Sequence, residues 1–149
     1  MDYQPITTIR PARKEDSKSV FQFICKLEET MFDNTVFEKY YVANLENKDN
    51  IYLIAVNETD QVIGYLSCHG QILLHHMAKV FEIQELFVKE NYRSQKVGQL
   101  LIQALEEQLK KEGYRFLEVT ANIKRLNTHR FYTKCGFEQT HLKFTKTLD

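Results

Sequence analysis

The chain has 149 residues, 43% of them hydrophobic and 12% aromatic, which is the length and composition of one domain with one proper core. Twenty basic and 20 acidic residues cancel to a formal charge of zero, which excludes bulk attraction to nucleic acid and requires any anion site to be local. Nothing approaches the roughly 18 consecutive apolar residues of a spanning helix, and MDYQPITTIRPARKEDS has no apolar leader core, so a soluble cytoplasmic protein is expected.

Ile6 to Arg10 reads as a first strand that Pro11 ends. Asp16 or Ser17 can cap a helix whose apolar face is Val20, Phe21, Ile24 and Leu27, and Phe32 to Leu45 reads as a second helix. Ile51 to Val56 and Val62 to Cys68 are strands joined by the polar turn Asn57-Glu58-Thr59-Asp60, a hairpin signal. Lys79 to Val88 is a fourth strand. Val97, Leu100, Leu101, Ala104, Leu105 and Leu109 then fall at helical spacing, with Gly113 where a C′ glycine belongs. Phe116 to Thr120 is a fifth strand, Thr128 to Lys134 a short helix stopped at Gly136, and Phe137 to Lys146 a closing strand. This order predicts a single α/β domain over residues 1–149 with a mixed central sheet flanked by helices on both faces. Cys25, Cys68 and Cys135 are odd in number and scattered, so free thiols are expected and no metal-type cysteine spacing exists.

The stretch FEIQELFVKENYRSQKVGQLLIQAL from Phe81 to Leu105 carries the first functional clue. It is a strand, a short polar loop and an amphipathic helix, and a helix N-terminus offers unpaired N–H groups and the positive end of a dipole to a phosphate. An ordinary βα junction has the same pattern. There is neither a P-loop nor a G-x-G-x-x-G fingerprint.

Arg93-Ser94-Gln95-Lys96-Val97-Gly98 resembles the Q/R-x-x-G-x-G/A loop of the GNAT N-acetyltransferases, which binds the pyrophosphate of acetyl-CoA. Ile9-Arg10-Pro11-Ala12 followed by Asp16 is similar to the opening of that family, and His129 to Phe137 resembles its F/L-Y-x-x-x-G-F/Y signature. The resemblance covers nearly the full length and implies the GNAT fold. Lys96 departs from it, standing where the family usually has glycine.

The resemblance implies acetyl transfer from acetyl-CoA to an amine, with three tasks for the protein. An alkylamine with a pKa of ~10 must lose a proton before it can attack. Glu82 is the first candidate base and Glu85 the second. They are three apart, so an unbroken strand points them to opposite faces, whereas a bulge would change that. Either is otherwise a solvated edge carboxylate. The thioester oxygen needs donors, which the family supplies from the strand backbone, here around Leu86, Phe87 and Val88. The departing thiolate benefits from a proton, for which Tyr132 is the candidate acid; otherwise it is a core tyrosine. Asn122 is expected on the pantetheine arm, and Arg125 at the cofactor.

A closer similarity is to aminoalkylphosphonate N-acetyltransferases. It runs through Ile24-Cys25-Lys26-Leu27, Ala43-Asn44-Leu45, Leu74-His75-His76, Glu82-Ile83-Gln84-Glu85-Leu86 and Asn122-Ile123-Lys124-Arg125 among other segments. It implies a small aminophosphonate as acceptor, helped by a weakly bound divalent metal. His75 and His76, adjacent on a strand, would point to opposite faces and cannot easily share a metal. A phosphonate needs cationic donors, and His75, His76, His129, Arg130, His141 and Lys143 are the candidates. The rival readings are the same enzyme with another amine (a polyamine, an aminoglycoside or a protein N-terminus) and a non-catalytic CoA-binding module. The family is often dimeric, and the aromatic content permits a homodimer interface without showing one.

Overall fold

The computed structural model describes residues 5–148. Strands β1 (Thr8–Pro11), β2 (Asn50–Val56), β3 (Val62–Leu73), β4 (Ala78–Val88) and β5 (Phe116–Val119) form one sheet in the order β1-β2-β3-β4-β5. The first four are antiparallel neighbours, and β5 joins β4 in parallel. Helices α1 (Ser17–Glu28) and α2 (Asn34–Glu46) cover one face; α3 (Val97–Lys111) and α4 (Leu126–Lys134) cover the other.

The pleat of β2 divides the core. Leu53 and Ala55 pack with Val97, Leu101 and Leu105 of α3, while Tyr52, Ile54 and Val56 pack with Val20, Phe23 and Tyr41 of α1 and α2. Burial on both faces is why this segment reads as a continuous apolar run rather than an alternation. Phe23 of α1 stacks on Phe87 of β4 with ring centroids 4.8 Å apart, fixing α1 over the strand that matters most for function.

Asp33 caps α2 by accepting a hydrogen bond from the Val36 N–H at 2.9 Å. Asp16 is the residue before α1, but its carboxylate does not cap the helix. It accepts two hydrogen bonds of 2.8 Å from the Arg10 guanidinium and a third, also 2.8 Å, from the Arg13 N–H, tying β1 to the entry of α1. Burial pushes this carboxyl up, but the Arg10 and Arg13 hydrogen bonds outweigh it and hold it below its ordinary value. A depressed carboxyl stabilises the fold above its unfolded pKa and loses that contribution as pH falls through the folded value. Asp16→Asn should therefore cost about 2 kcal/mol in urea unfolding at pH 7, and the difference from wild type should shrink on acidification.

Three expectations are corrected. Pro11 closes β1 from within, which an edge strand tolerates because no ladder N–H is needed there. His75 and His76 lie in a 3-10 turn, Leu74–His76, that ends at Met77 with φ +50, so they are not strand neighbours on opposite faces. Residues 137–146 do not form a strand: the described segment after α4 joins no ladder, and among the described residues no strand pairs with the outer edge of β5. Gly113 takes φ +87 just past α3, as its position predicted.

Candidate active site

The site is built around an irregularity in β4. Ser67 of β3 faces Glu85, but the next residue, Cys68, faces Ile83, leaving Gln84 as the extra residue of a β-bulge. Glu82 is then opposite His69 and Glu85 opposite Ser67. Because His69 and Ser67 are two apart, Glu82 and Glu85 point to the same face although they are three apart. An unbroken strand would have separated them. Glu118 of β5 is in register with Glu82 and joins them on that face.

The two carboxylates differ in their surroundings. The Glu85 N–H donates to the Ser67 hydroxyl at 3.0 Å, and that buried hydroxyl donates back to Glu85 Oε1. The Tyr65 hydroxyl is 3.5 Å from the same oxygen. Glu85 is thus held by two hydroxyls through three contacts. Glu82 is half-buried, with the Thr120 hydroxyl at 3.5 Å from Oε1 as its hydrogen-bonding contact. It is the less committed of the two.

The pairing of β4 with β5 runs only from Val80↔Phe116 to Ile83↔Val119. Past Ile83, β4 continues to Val88 with no strand beside it on that side among the described residues, so the edge carrying Leu86, Phe87 and Val88 is open there. The opening leads to the start of α3. A Cβ on Gly98 would sit 3.1 Å from the Phe131 ring of α4, which would have to give by a few tenths of an ångström, and 3.8 Å from Val88, so the first turn of α3 lies close against both. The amides of Val97, Gly98 and Gln99 belong to the first turn of α3, which has no carbonyl of its own helix to bond them, and Leu100 N–H bonds Lys96 O at 3.1 Å. First-turn amides at the positive end of a 15-residue helix, beside an open strand edge, suit a pyrophosphate.

Lys96 takes φ +60 at the N-cap of α3. This is the left-handed conformation that explains why a glycine suits this position, and a lysine holds it at a cost on the order of 1 kcal/mol. Lys96→Gly should stabilise the fold by roughly 0.5–1 kcal/mol in urea unfolding while raising KM for acetyl-CoA through loss of the ammonium. Arg93 Nε–H donates to Val88 O at 3.0 Å and its guanidinium lies 5.7 Å from the Phe87 ring centre. Ser94 is exposed and Gln95 half-buried in the 3-10 turn before α3.

Tyr132 projects from α4 into the α3-side core, between Phe131 (5.4 Å) and Phe137 (5.7 Å). Burial pushes its hydroxyl up to about 12, with Cys135 adding and Arg125 opposing. Arg125 donates to Leu27 O at the end of α1 at 3.3 Å, bracing the β5–α4 loop. In that loop the Lys124 N–H donates to Asn122 Oδ1 at 2.9 Å, and the His129 ring is 2.8 Å from Asn122 O.

The histidines do not converge. His76 lies 3.7 Å from Glu118 Oε1 and 5.2 Å from the Phe116 ring centre, at the rim of the carboxylate face, with exposed His75 against its other side. His129 serves the loop, and His141 is in the exposed segment after α4, with Thr140 as its hydrogen-bond partner among the described residues. Among the described residues no group of three or more His, Cys, Asp or Glu side chains is placed to hold a metal ion, so the residues present do not fit a resident metal.

One residue of this face was missed. His69 Nε2 is 2.7 Å from the Tyr52 hydroxyl, with the rings parallel at 5.6 Å, and Asn44 Nδ2 donates to the same hydroxyl at 2.9 Å. With Asn44 donating to the Tyr52 oxygen, the arrangement that uses every group has the phenolic proton on the Nε2 side and the imidazole proton on Nδ1. Burial lowers the His69 pKa against the pull of Glu85 and Glu82, which favours the neutral imidazole. The parity of Tyr65, Ser67 and His69 was the available signal, but the expected strand stopped at Cys68, one residue short.

Around the open edge of β4 lie a lightly held carboxylate on one face of the sheet and, on the other, the first turn of α3 and a buried phenol, the parts that acyl transfer from a phosphate-bearing thioester requires. The acetyltransferase (GNAT) family model matches residues 20–137. The chain belongs to the GNAT acetyltransferase family and is an N-acetyltransferase; enzymes of this family use acetyl-CoA. A curated relative, the aminoalkylphosphonate N-acetyltransferase of Salmonella typhimurium, is 38% identical over 147 residues, covering 99% of this chain and 95% of that protein. Among solved structures the fold is similar to that of a transcriptional regulator from Bacillus halodurans C-125, with a TM-score of 0.86, 18% identity, and coverage of 96% of this chain and 100% of that one. It is also similar to an aminoglycoside antibiotic 6'-N-acetyltransferase from Acinetobacter baumannii, with a TM-score of 0.83, 18% identity, and coverage of 97% and 100%.

Proposed function

We propose that this enzyme acetylates the primary amine of a small aminoalkylphosphonate. The observation that carries the reading is the 38% identity to an aminoalkylphosphonate N-acetyltransferase over 99% of the chain, which extends far beyond the cofactor loop to the elements that line the acceptor face. Glu82 removes a proton from the acceptor ammonium, directly or through one water, and the freed nitrogen attacks the thioester carbon. Backbone N–H groups of Leu86, Phe87 and Val88 along the open edge of β4 stabilise the oxyanion. Tyr132 donates a hydrogen bond to the sulfur as the carbon–sulfur bond breaks. The loop from Arg93 to Gly98 holds the pyrophosphate, Asn122 the pantetheine arm and Arg125 the cofactor beyond it. On the acceptor side, His69 Nδ1–H and His76 are the donors best placed for the phosphonate, with Glu85 beside Glu82 drawing in the ammonium.

A second reading rests on a specific observation. Glu82, Glu85 and Glu118 on one face give it an acidic character that also suits a polyamine. Thiol release from acetyl-CoA separates the two, using aminomethylphosphonate, 2-aminoethylphosphonate, ethanolamine, spermidine and kanamycin, with and without a divalent cation. The proposal expects kcat/KM for the aminophosphonates to exceed that for ethanolamine by at least about 100-fold, the contribution of charge-assisted hydrogen bonds to the phosphonate. Preference for spermidine would replace it with the second reading.

A further inference from the structure

We propose that Tyr52 is a positioning residue for the reaction: its hydroxyl holds His69 as a neutral imidazole with the proton on Nδ1, so that no imidazolium forms beside Glu82 and the carboxylate stays available as the base. The proposal rests on the reading of Glu82 as that base and extends it to two residues set back from the reacting groups, Tyr52 and Asn44.

The geometry is a polar row across the sheet. Asn50 of β2 is paired with His69 of β3, His69 with Glu82 of β4, and Glu82 with Glu118 of β5. Directly paired antiparallel residues share a face with Cβ atoms roughly 4.5–5.5 Å apart, so His69 is the immediate cross-strand neighbour of Glu82. A carboxylate beside an imidazole ordinarily draws a proton onto it and forms an ion pair. Such a pair would be harmful twice here. It would occupy the base, and it would put a cation where the acceptor ammonium has to dock.

What opposes that pair lies behind His69. The Tyr52 hydroxyl is 2.7 Å from Nε2, with the two rings parallel to within 2°. Asn44 of α2 donates to the same hydroxyl at 2.9 Å and is itself fixed by Asn50, whose Nδ2 donates to Asn44 O at 3.0 Å. The Asn44 amide nitrogen can only donate, so the Tyr52 oxygen accepts from α2 and aims its own proton at Nε2. An imidazolium would turn a second donor onto that oxygen and leave the phenolic proton without this partner, on a side chain only 8% exposed. Burial of the ring acts in the same direction, against the pull of Glu85 and Glu82 of β4. The titratable groups facing the ring are thus Glu85, Glu82 and Tyr52; α2 contributes the uncharged Asn44, and Glu118 lies one strand beyond Glu82. Among the described residues Nδ1 has no hydrogen-bond partner and is not a buried orphan, so it reaches the open side of the face.

Two readouts test this. Long-range proton–nitrogen NMR of the labelled full chain, with no acceptor present, reads the tautomer and titration of His69, and His69→Asn identifies its signal among the five histidines. The expected result is the neutral Nδ1–H form at pH 7 in wild type, and a titration midpoint raised by at least about half a pH unit in Tyr52→Phe. A wild-type His69 that carries its proton on Nε2, or is an imidazolium at pH 7, overturns the proposal whatever the acceptor is. The second readout is thiol release with 2-aminoethylphosphonate. Relative to wild type, kcat of Tyr52→Phe should fall about 10-fold at about pH 6.5 and return to within about 3-fold by about pH 9, with KM for acetyl-CoA unchanged. Tyr52→Phe/His69→Asn cannot form an imidazolium and should regain most of the loss at the lower pH. A loss of equal size at every pH, unrelieved by the second substitution, is what a merely structural role would give and overturns the proposal. Glu82→Gln separates the two readings: a slow Glu82→Gln beside a Tyr52→Phe with the wild-type pH profile sinks the positioning role alone, whereas a Glu82→Gln as fast as wild type sinks the base reading and the positioning role with it.

Discussion

Glu82→Gln should lower kcat by about 10²–10⁴, the usual range for removing a general base, with little change in KM for acetyl-CoA. The reason is protonation. An alkylamine of pKa ~10 is less than about 1% free base at pH 7, and the protonated nitrogen has no lone pair with which to attack. Without a nearby carboxylate, the rate depends on amine that has already lost its proton in solution. The variant's rate should therefore climb steadily from pH 7 towards 10, whereas wild type levels off earlier, so the defect should narrow as pH rises. Steady-state thiol release over that range checks this. Glu85→Gln is the control. Glu85 is tied to Ser67 and within 3.5 Å of the Tyr65 hydroxyl, so its loss should act mainly on the local structure of β3 and β4. A loss in Glu85→Gln as large as that in Glu82→Gln, with unchanged thermal stability, would reverse the assignment.

Tyr132→Phe should reduce kcat by about 10–100-fold while leaving KM for acetyl-CoA nearly unchanged, because the ring packing with Phe131 and Phe137 is retained and only the hydroxyl is lost. At its ordinary value a phenol can hand its proton to a thiolate at modest cost. Burial has moved Tyr132 up to about 12, and a thiol near ~8.5 then takes the proton only against several pKa units. The role that fits is hydrogen-bond donation to the sulfur as charge develops there, with the proton supplied finally by solvent. The Tyr132 hydroxyl should stay protonated across the working range and add no alkaline limb to kcat below about 12. A falling limb near pH 9 that disappears in Tyr132→Phe contradicts this. The sign for stability follows. A group whose pKa is raised on folding stabilises the fold below its unfolded value of 10.0, and that contribution is lost as pH rises from there to about 12.

The elements with one strong periodicity were legible from the sequence. Helix α3 has a clear apolar stripe and a C′ glycine, and β2 and β4 are β-rich runs between polar turns. What escaped depends on pairing. Whether Glu82 and Glu85 share a face is decided by the bulge at Gln84, and that extra residue exists only relative to the register of β3. His69 was lost because β3 runs on to Leu73, where its register with β4 rather than its own composition sustains it. The strand expected over 137–146 has the right alternation but no ladder within one chain, since alternation states which side would be buried and not against what. Lys96 was recognisable as a departure from the cofactor loop, and its φ of +60 shows the cost that departure carries.

The central claim is that the amine and the thioester meet between Glu82 and the open edge of β4. A crystal structure with CoA and 2-aminoethylphosphonate bound tests it most directly, through the position of the acceptor nitrogen. The account predicts that nitrogen within one water of the Glu82 carboxylate, the CoA sulfur between Leu86–Val88 and Tyr132, and the pyrophosphate on the amides of Val97 to Gln99. An acceptor nitrogen on the α3 side of the sheet, or CoA seated against the outer edge of β5, would contradict it.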